Sequence, residues 1–171
     1  MEKFKNTLLY RGFHCDDNGD KTIVVGDRTL KGSWVIGYLQ LTKSMAFITP
    51  YNANVAYAIA EETLMSPAVK VEQDTISMAA GVYDDFDLPQ LIFQGDIVEY
   101  NDGINYFTGK VHFEAGAFGI ATDDNIPIES SSDNFISFYE MIIKQEYIDE
   151  YMIVDYVKII GNIWEVNNAE G

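Results

Sequence analysis

Hydrophobic and polar residues alternate in several short segments of the chain, as they do in strands with one buried face. The clearest is KVHFE (110–114), where Val111 and Phe113 fall on one side and three polar residues on the other. The Asp-Gly dipeptide at 102–103 precedes it and predicts a turn, because glycine readily adopts the positive φ that a tight hairpin needs. Residues 93–120 are therefore predicted to form short antiparallel strands joined by tight turns.

Further strands are predicted on both sides of this segment, at GSWVIGYLQL (32–41), MAFITPY (45–51) and DYVKIIGNIWEV (155–166). The Asn-Gly dipeptide in DDNGD (16–20) predicts another hairpin. Small residues in AGAFGI (115–120) favour a bend or a close approach of two backbones. We expect a mainly β, small barrel-like antiparallel fold of at least six strands, with five residues in its core: Ile97, Val111, Phe113, Trp34 and Ile159.

One or two short accessory helices are expected beside the strands. The segment SSDNFISFYEMIIKQEYIDEY (131–151) has apolar residues at three- and four-residue spacing, which predicts a helix within residues 132–147. Ser132 or Asp133 is the expected N-cap. A second, shorter helix is expected at 53–65, where Pro67 would end it.

The length of 171 residues fits one domain, which should bury roughly 70% of the surface of its unfolded chain. A finer division places an N-terminal β subdomain at 1–80 and a barrel-like part at 81–166. Cys15 is the only cysteine, which excludes an internal disulfide and suits a reducing compartment. Since no apolar run approaches the length of a membrane span or a signal sequence, we expect a soluble, cytoplasmic protein.

The net charge of −16 is distributed unevenly along the chain. Residues 1–43 contain seven basic and five acidic side chains, whereas residues 44–171 contain four basic and 22 acidic ones, a local charge of −18. Such a field repels nucleic acid and anionic membranes and attracts basic partners. We therefore expect neither direct nucleic-acid binding nor membrane binding.

Two segments have spacings close to those of known ligand loops. GINYFTGK (103–110) has five residues between its glycines, where a phosphate loop has four, and Val111 stands where that loop needs Ser or Thr. DDNGDKTIVVGD (16–27) can be aligned with a calcium loop, but Lys21 stands at the position of the essential glycine. We interpret the first as a strand and the second as an acidic turn.

The candidate nucleophiles, bases and metal ligands do not make a recognisable site. His14 and Cys15 are neighbours, and adjacent residues of a strand point to opposite faces, so His14 is a poor base for Cys15. With His112, they are too few for a typical zinc site. The carboxylate runs are interpreted as solvated turns and helix ends: Glu61/Glu62, Asp84/Asp85/Asp87, Asp123/Asp124 and Asp149/Glu150. We predict no catalytic, cofactor-binding or metal-binding residues.

Four aromatic residues are candidates for a stacking platform for a ligand: Trp34, Tyr38, Phe118 and Trp164. They lack the basic neighbours of a nucleic-acid platform. Aromatic residues spaced along strands more often belong to the core or its rim, which is the interpretation we adopt.

Five segments occur in the order seen in a known family: LYRG (9–12), GSWVIGYL (32–39), GDIVEY (95–100), VHFEAGAFGI (111–120) and VKIIGNIWEV (157–166). In these segments the chain resembles the YopX family, small proteins carried by phages, prophages and other mobile elements of bacteria. The resemblance spans nearly the whole chain. It implies a β-rich, barrel-like fold with accessory helices, and it implies no particular activity.

Three functions remain open at this point. The first is a non-enzymatic protein-binding module that acts on an unknown partner in the bacterial cytoplasm. The second is an acidic nucleic-acid mimic that inhibits a host DNA-binding or defence enzyme, and the third is a metal-dependent hydrolase. We also expect a homo-oligomer, formed through strand edges and exposed aromatic side chains.

Overall fold

The chain is mainly antiparallel β-structure, as the alternating segments predicted. The computed structural model describes residues 8–50, 68–123, 126, 134–147 and 152–165, and these contain eleven strands and one helix. The elements in order are β1 (Tyr10–Cys15), β2 (Lys21–Val25), β3 (Arg28–Leu41), β4 (Ala46–Pro50), β5 (Val69–Tyr83), β6 (Leu91–Phe93), β7 (Asp96–Asn101), β8 (Tyr106–Glu114), β9 (Ala117–Ala121), β10 (Phe135–Ser137), α1 (Phe138–Ile143) and β11 (Val157–Asn162). The helix expected at 53–65 lies outside the described residues.

The chain divides into two compact units. The first comprises the chain up to Met78 and again from Trp164, and the second comprises Ala79–Ile163. Strand β5 contributes to both, since its residues up to Met78 pair in the first unit and its residues from Ala79 pair in the second. The organisation as one domain stays a prediction.

The long strand β3 organises the first unit by changing partner along its length. Residues 28–32 pair with β2, residues 32–37 with β1 and residues 37–41 with β4, all antiparallel. Strand β5 pairs with β4 and then with β1. Two groups of apolar side chains become buried: Phe13, Ile23 and Val25 in one, and Ala46, Ile48 and Val71 in the other.

The expected hairpin at residues 16–20 is wrong in its pairing. Residues 16–20 form a turn in which the Asp16 carboxylate accepts the backbone N–H of Asn18, at 2.9 Å. The strand that follows, β2, pairs instead with β3, and the tight connection is at Gly26, where φ is +61°. The Asn-Gly dipeptide signals a turn, but it does not decide which strands pair.

The second unit contains a five-stranded antiparallel sheet in the order β10-β9-β8-β7-β11. The β7–β8 connection passes through Gly103, with φ of +86°, as the Asp-Gly dipeptide predicted. One face of the sheet forms the larger core, with fully buried Val98, Val111, Ile120 and Val157. The described strands do not close into a barrel, so the barrel-like arrangement stays a prediction.

The expected core residues are only partly correct. Val111 is fully buried, and Trp34 and Ile159 are half-buried against the cores of their units. The prediction that Phe113 lies in the core is wrong, since its side chain is 49% exposed near the end of β8, where its ring packs on Phe118. Ile97 is half-buried and lies outside the core, because it alternates with Val98 and so faces the other side of the sheet.

The predicted helix exists, but it is shorter and starts later than expected. Residues 135–137 belong to β10, and α1 covers only Phe138–Ile143. The N-cap is Ser137, whose hydroxyl accepts the Glu140 N–H while the Glu140 carboxylate accepts the Ser137 N–H, a complete capping box. In the part of the chain that the structure describes, no helix has the length and apolar character to cross a membrane.

Candidate functional site

The thiol and imidazole groups at the end of β1 have separate partners. His14 Nδ1 lies 2.9 Å from the Lys70 carbonyl oxygen, and Cys15 Sγ lies 3.5 Å from a carboxylate oxygen of Glu72. Burial, and then the negative charge of Glu72, raise the pKa of the Cys15 thiol. These contacts favour the protonated thiol, which is a poor nucleophile.

The two ligand-loop lookalikes have ordinary structural roles. Of residues 103–110, Gly103 lies in the β7–β8 turn and residues 106–110 lie in β8. In the acidic segment 16–27, the Asp16 carboxylate caps its own turn. Among the described residues, no three His, Cys, Asp or Glu side chains come together as metal ligands would. His112 is half-buried in β8.

Three of the four aromatic residues that are candidates for a stacking platform pack with other rings. Trp34 contacts Phe13 and Trp164 in the first unit, with ring centroids 5.2 and 5.6 Å apart. Phe118 packs on Phe113 in the second, at 5.0 Å. Tyr38 is partly exposed on β3.

One of the acidic residues interpreted as solvated is in fact buried. Asp84 is 1% exposed, and its carboxylate accepts the backbone N–H of Gln90 at 2.7 Å and of Ile159 at 3.2 Å. Its own N–H donates to the Gln90 carbonyl at 3.0 Å. The interpretation of Asp84 as a solvated residue is therefore wrong. Asp85 and Asp87 are exposed. Five other acidic residues of these runs lie outside the described residues: Glu61, Glu62, Asp124, Asp149 and Glu150.

Asp84 closes a seven-residue loop, residues 84–90, which we call the acidic loop. The two hydrogen bonds between Asp84 and Gln90 join its ends. Its apolar side chains point outward, since Leu88 is 80% and Phe86 52% exposed. The ammonium of Lys158 lies 5.6 Å from the centroid of the Phe86 ring. The loop therefore exposes two apolar side chains, Phe86 between two carboxylates and Leu88 next to one, and hydrogen bonds join its ends.

A cleft of about 520 Å³ lies beside the C-terminal end of α1. Its volume is within the range of small-molecule and side-chain binding sites. The residues that line it, all in the second unit, are Tyr100, Ile136, Met141, Lys144, Gln145, Glu146, Asp155 and Tyr156. Apolar side chains, two phenol rings and charged groups thus share one concave surface.

The loop before β11 is held in a strained conformation where it lines this cleft. Tyr156 has φ of +67° and Met152 has φ of +55°, values that cost free energy for residues other than glycine. The Asp85 carboxylate accepts the Tyr156 N–H at 2.9 Å, and the Gln145 side chain accepts the Asp155 N–H at 3.1 Å while donating to the Ile153 carbonyl. These bonds fix the position of Asp155 and Tyr156.

Two ionisable groups of the cleft, Asp155 and Tyr100, have shifted pKa values. Burial, followed by the nearby charge of Asp85, raises the pKa of Asp155. Burial and then the Asp102 carboxylate raise the pKa of Tyr100 to about 12, and the Tyr100 hydroxyl donates to Asp102 at 3.2 Å. Tyr100 is therefore neutral at physiological pH and unsuited to act as a base, whereas Asp155 lies beside a like charge.

Neither the hydrogen bonds of Asp84 that close the acidic loop nor the cleft was predicted from the sequence. The only signal for either was the DLP tripeptide at 87–89, a turn-forming pattern inside an acidic run. Comparison with protein-family models, with curated proteins and with solved structures gives no match for this chain.

Proposed function

We propose that the chain is a non-enzymatic protein-binding module that acts in the bacterial cytoplasm and belongs to a phage or another mobile element. The ordered resemblance to the YopX family supports the origin, and the barrel-like arrangement of that family is part of the same proposal. The acidic loop is the observation that carries the binding function.

The acidic loop exposes large apolar side chains that a partner could bury. Burying a leucine or phenylalanine side chain contributes about 1.5–3 kcal/mol. Because Leu88 is 80% exposed in this chain, most of that free energy becomes available only when a partner covers it. A loop whose ends are hydrogen-bonded loses little conformational freedom on binding, so more of this free energy goes into affinity. Phe86 and Leu88 thus have the properties of interface anchors.

The charges around these anchors define the partner. Asp85 and Asp87 flank Phe86 and are exposed. A complementary surface has an apolar pocket with a basic rim, since opposite potentials speed association and exclude wrong partners. The overall charge of −16 favours the same kind of partner.

Capture from a bacterial lysate with a tagged copy tests this proposal. We expect one stoichiometric partner, and we expect Leu88→Ser to weaken its binding by about 30-fold, since interface anchors are worth about 2 kcal/mol or more. Ile104→Ser is the matched control, because Ile104 is 92% exposed but lies in the β7–β8 turn. Equal capture by the L88S variant and the unaltered chain would contradict the proposal.

The module is also proposed to form a homo-oligomer. The nucleic-acid mimic and the metal-dependent hydrolase stay as alternatives, and no contact among the described residues favours either of them over a binding module.

A further inference from the structure

We propose that the cleft beside α1 binds an arginine side chain of the protein partner. The inference rests on the proposed function, because it names the chemical group that the partner contributes. It is carried by three features of the cleft: aromatic walls, carboxylates and a fixed geometry.

The aromatic walls suit a flat cation. Tyr156 is 51% exposed, and its ring meets Tyr100 edge-on, with centroids 6.2 Å apart and planes at 76°. The other neighbour of Tyr100 is Phe107, stacked at 5.1 Å. Tyr100 itself is buried, at 9% exposure, so Tyr156 supplies the ring face that is open to a ligand, and cations are attracted to such faces. A guanidinium stacks on a phenol ring better than an ammonium does.

The charged groups of the cleft favour a cation over an anion. Glu146 and Asp155 supply two negative charges against one positive charge from Lys144. Asp85 adds a further negative charge next to Asp155, which is partly buried. A bound guanidinium relieves this repulsion, and two of its N–H groups can donate parallel hydrogen bonds to the two oxygens of one carboxylate.

The geometry of the cleft is fixed before any ligand binds. Backbone strain at Tyr156 persists because the Asp85 and Gln145 side chains hold the loop. A preformed site avoids the entropy cost of ordering a loop on binding. The cleft volume of about 520 Å³ exceeds one side chain, so backbone atoms of the partner segment can enter as well.

Titration with three capped tripeptides tests the inference. The peptides are acetyl-Gly-Arg-Gly-amide, its lysine analogue and its citrulline analogue, which has the shape of arginine without the charge. Two-dimensional amide NMR of the full chain is the readout. We expect saturable shifts at Glu146, Asp155 and Tyr156 with the arginine peptide, weaker binding of the lysine peptide, and none of the citrulline peptide.

Variants separate charge from folding. Asp155→Asn and Glu146→Gln are each expected to weaken binding of the arginine peptide by about tenfold, as the loss of one charged hydrogen bond predicts. Glu114→Gln is the matched control, because Glu114 lines a different hollow on the sheet. Preserved dispersion of the spectrum shows that each variant is folded, and E146Q is the safer of the two because Glu146 is exposed.

Three outcomes would overturn the inference: equal binding of the arginine and citrulline peptides, shifts confined to other surfaces, or full affinity in both cleft variants. None of these would affect capture of a partner through Leu88. Conversely, equal capture by the unaltered chain and the L88S variant, together with saturable binding of the arginine peptide, would overturn the proposed function and leave the arginine site standing.

Discussion

Asp84 is a buried carboxylate with a backbone donor on each of its two oxygens. Replacing it with alanine leaves the N–H groups of Gln90 and Ile159 without their acceptors. We expect Asp84→Ala to lower the free energy of unfolding by about 2–4 kcal/mol, since each unsatisfied donor costs about 1–3 kcal/mol. Urea unfolding measures this loss. Asp87→Ala, at an exposed position of the same loop, should change stability by less than about 0.5 kcal/mol. An equal effect of the two variants would contradict a stabilising role for the Asp84 hydrogen bonds.

The hydroxyl of Tyr100 and the carboxylate of Asp102 form a pair whose pKa values move apart. The backbone N–H groups of Asn105 and Ile104 are the main reason that the pKa of Asp102 falls to about 2. The pKa of Tyr100 rises to about 12, chiefly through burial and then through Asp102. The Asp102 contribution to stability is therefore present above its ordinary pKa of 3.8 and lost as the pH falls towards 2. That of Tyr100 is present below pH 10 and lost as the pH rises towards 12.

Asp102→Asn tests this pairing directly. We expect the pKa of Tyr100 to fall from about 12 but to stay above 10, because the contribution of burial remains. NMR titration of ¹³C-labelled tyrosine reports each ring separately. Glu99→Gln is the matched control, since Glu99 raises the pKa of Tyr106 and should leave that of Tyr100 unchanged. An unchanged Tyr100 in D102N would show that burial alone causes its shift.

Single residues were the least predictable part of the molecule. The neighbouring sequence does not distinguish Asp84 from Asp85 or Asp87. One of the two N–H groups that donate to the Asp84 carboxylate belongs to Ile159, 75 positions later in the chain. The separate contacts of His14 and Cys15 agree with the sequence-based expectation, since neighbouring side chains of a strand point to opposite faces.

At the scale of elements, Gly119 in β9 allows a neighbouring strand to approach closely. A Cβ at this position would collide with the Ile136 carbonyl oxygen and lie 2.7 Å from the Phe135 ring. We expect Gly119→Ala to destabilise the chain by about 1–3 kcal/mol, as other overpacked sites do. Thermal unfolding is the measurement. Gly161→Ala, where a Cβ meets nothing within 4 Å, should be neutral or stabilise by up to about 1 kcal/mol.

If G161A lost as much stability as G119A, the close approach of β10 to Gly119 would not be the cause of the loss. A general requirement for glycine backbone conformations would explain both. The sequence did signal this feature, because the small residues of AGAFGI predicted a bend or a close contact. It did not identify the partner strand, β10, since that strand was interpreted as the beginning of a helix.

The spacing of apolar residues predicted helix α1 only in part. Phe138 and Ile142 are buried, as their spacing predicted. The same spacing also included Phe135, which pairs with Ala121 in a strand. Ser137 is followed three residues later by Glu140, as the capping box requires, whereas Phe135 and Ile136 stand at that position after Ser132 and Asp133. The sequence therefore contained a signal for the true N-cap. Short apolar runs do not distinguish a strand that leads into a helix from a longer helix.

At the scale of the whole molecule, the strand edges bear on the predicted homo-oligomer. The outer edge of β11 is occupied in part, since the Asp85 N–H donates to the Val157 carbonyl at 2.7 Å and Asp84 accepts the Ile159 N–H. Self-association through that part of the edge is therefore blocked. Exposed apolar side chains outside the acidic loop, Tyr139 and Ile160 among them, are a further surface for it.

Light scattering at several salt concentrations tests self-association. We expect a mass above 19.3 kDa that increases with salt, because the charge of −16 on each copy is screened. A 19.3 kDa species at every salt concentration would show that the chain is a monomer.

The first unit is built from two separate stretches of chain, and this affects how a nascent chain can fold on the ribosome. Glu165 forms a bridge with Ile23, Trp164 packs on Trp34, and the Trp34 indole N–H donates to Glu165. Translation delivers both residues only after all of Ala79–Ile163 has been made. Strands β1 to β4 leave the ribosome early. The contacts of Trp34 with Trp164 and Glu165 can form only after the second unit has been synthesised.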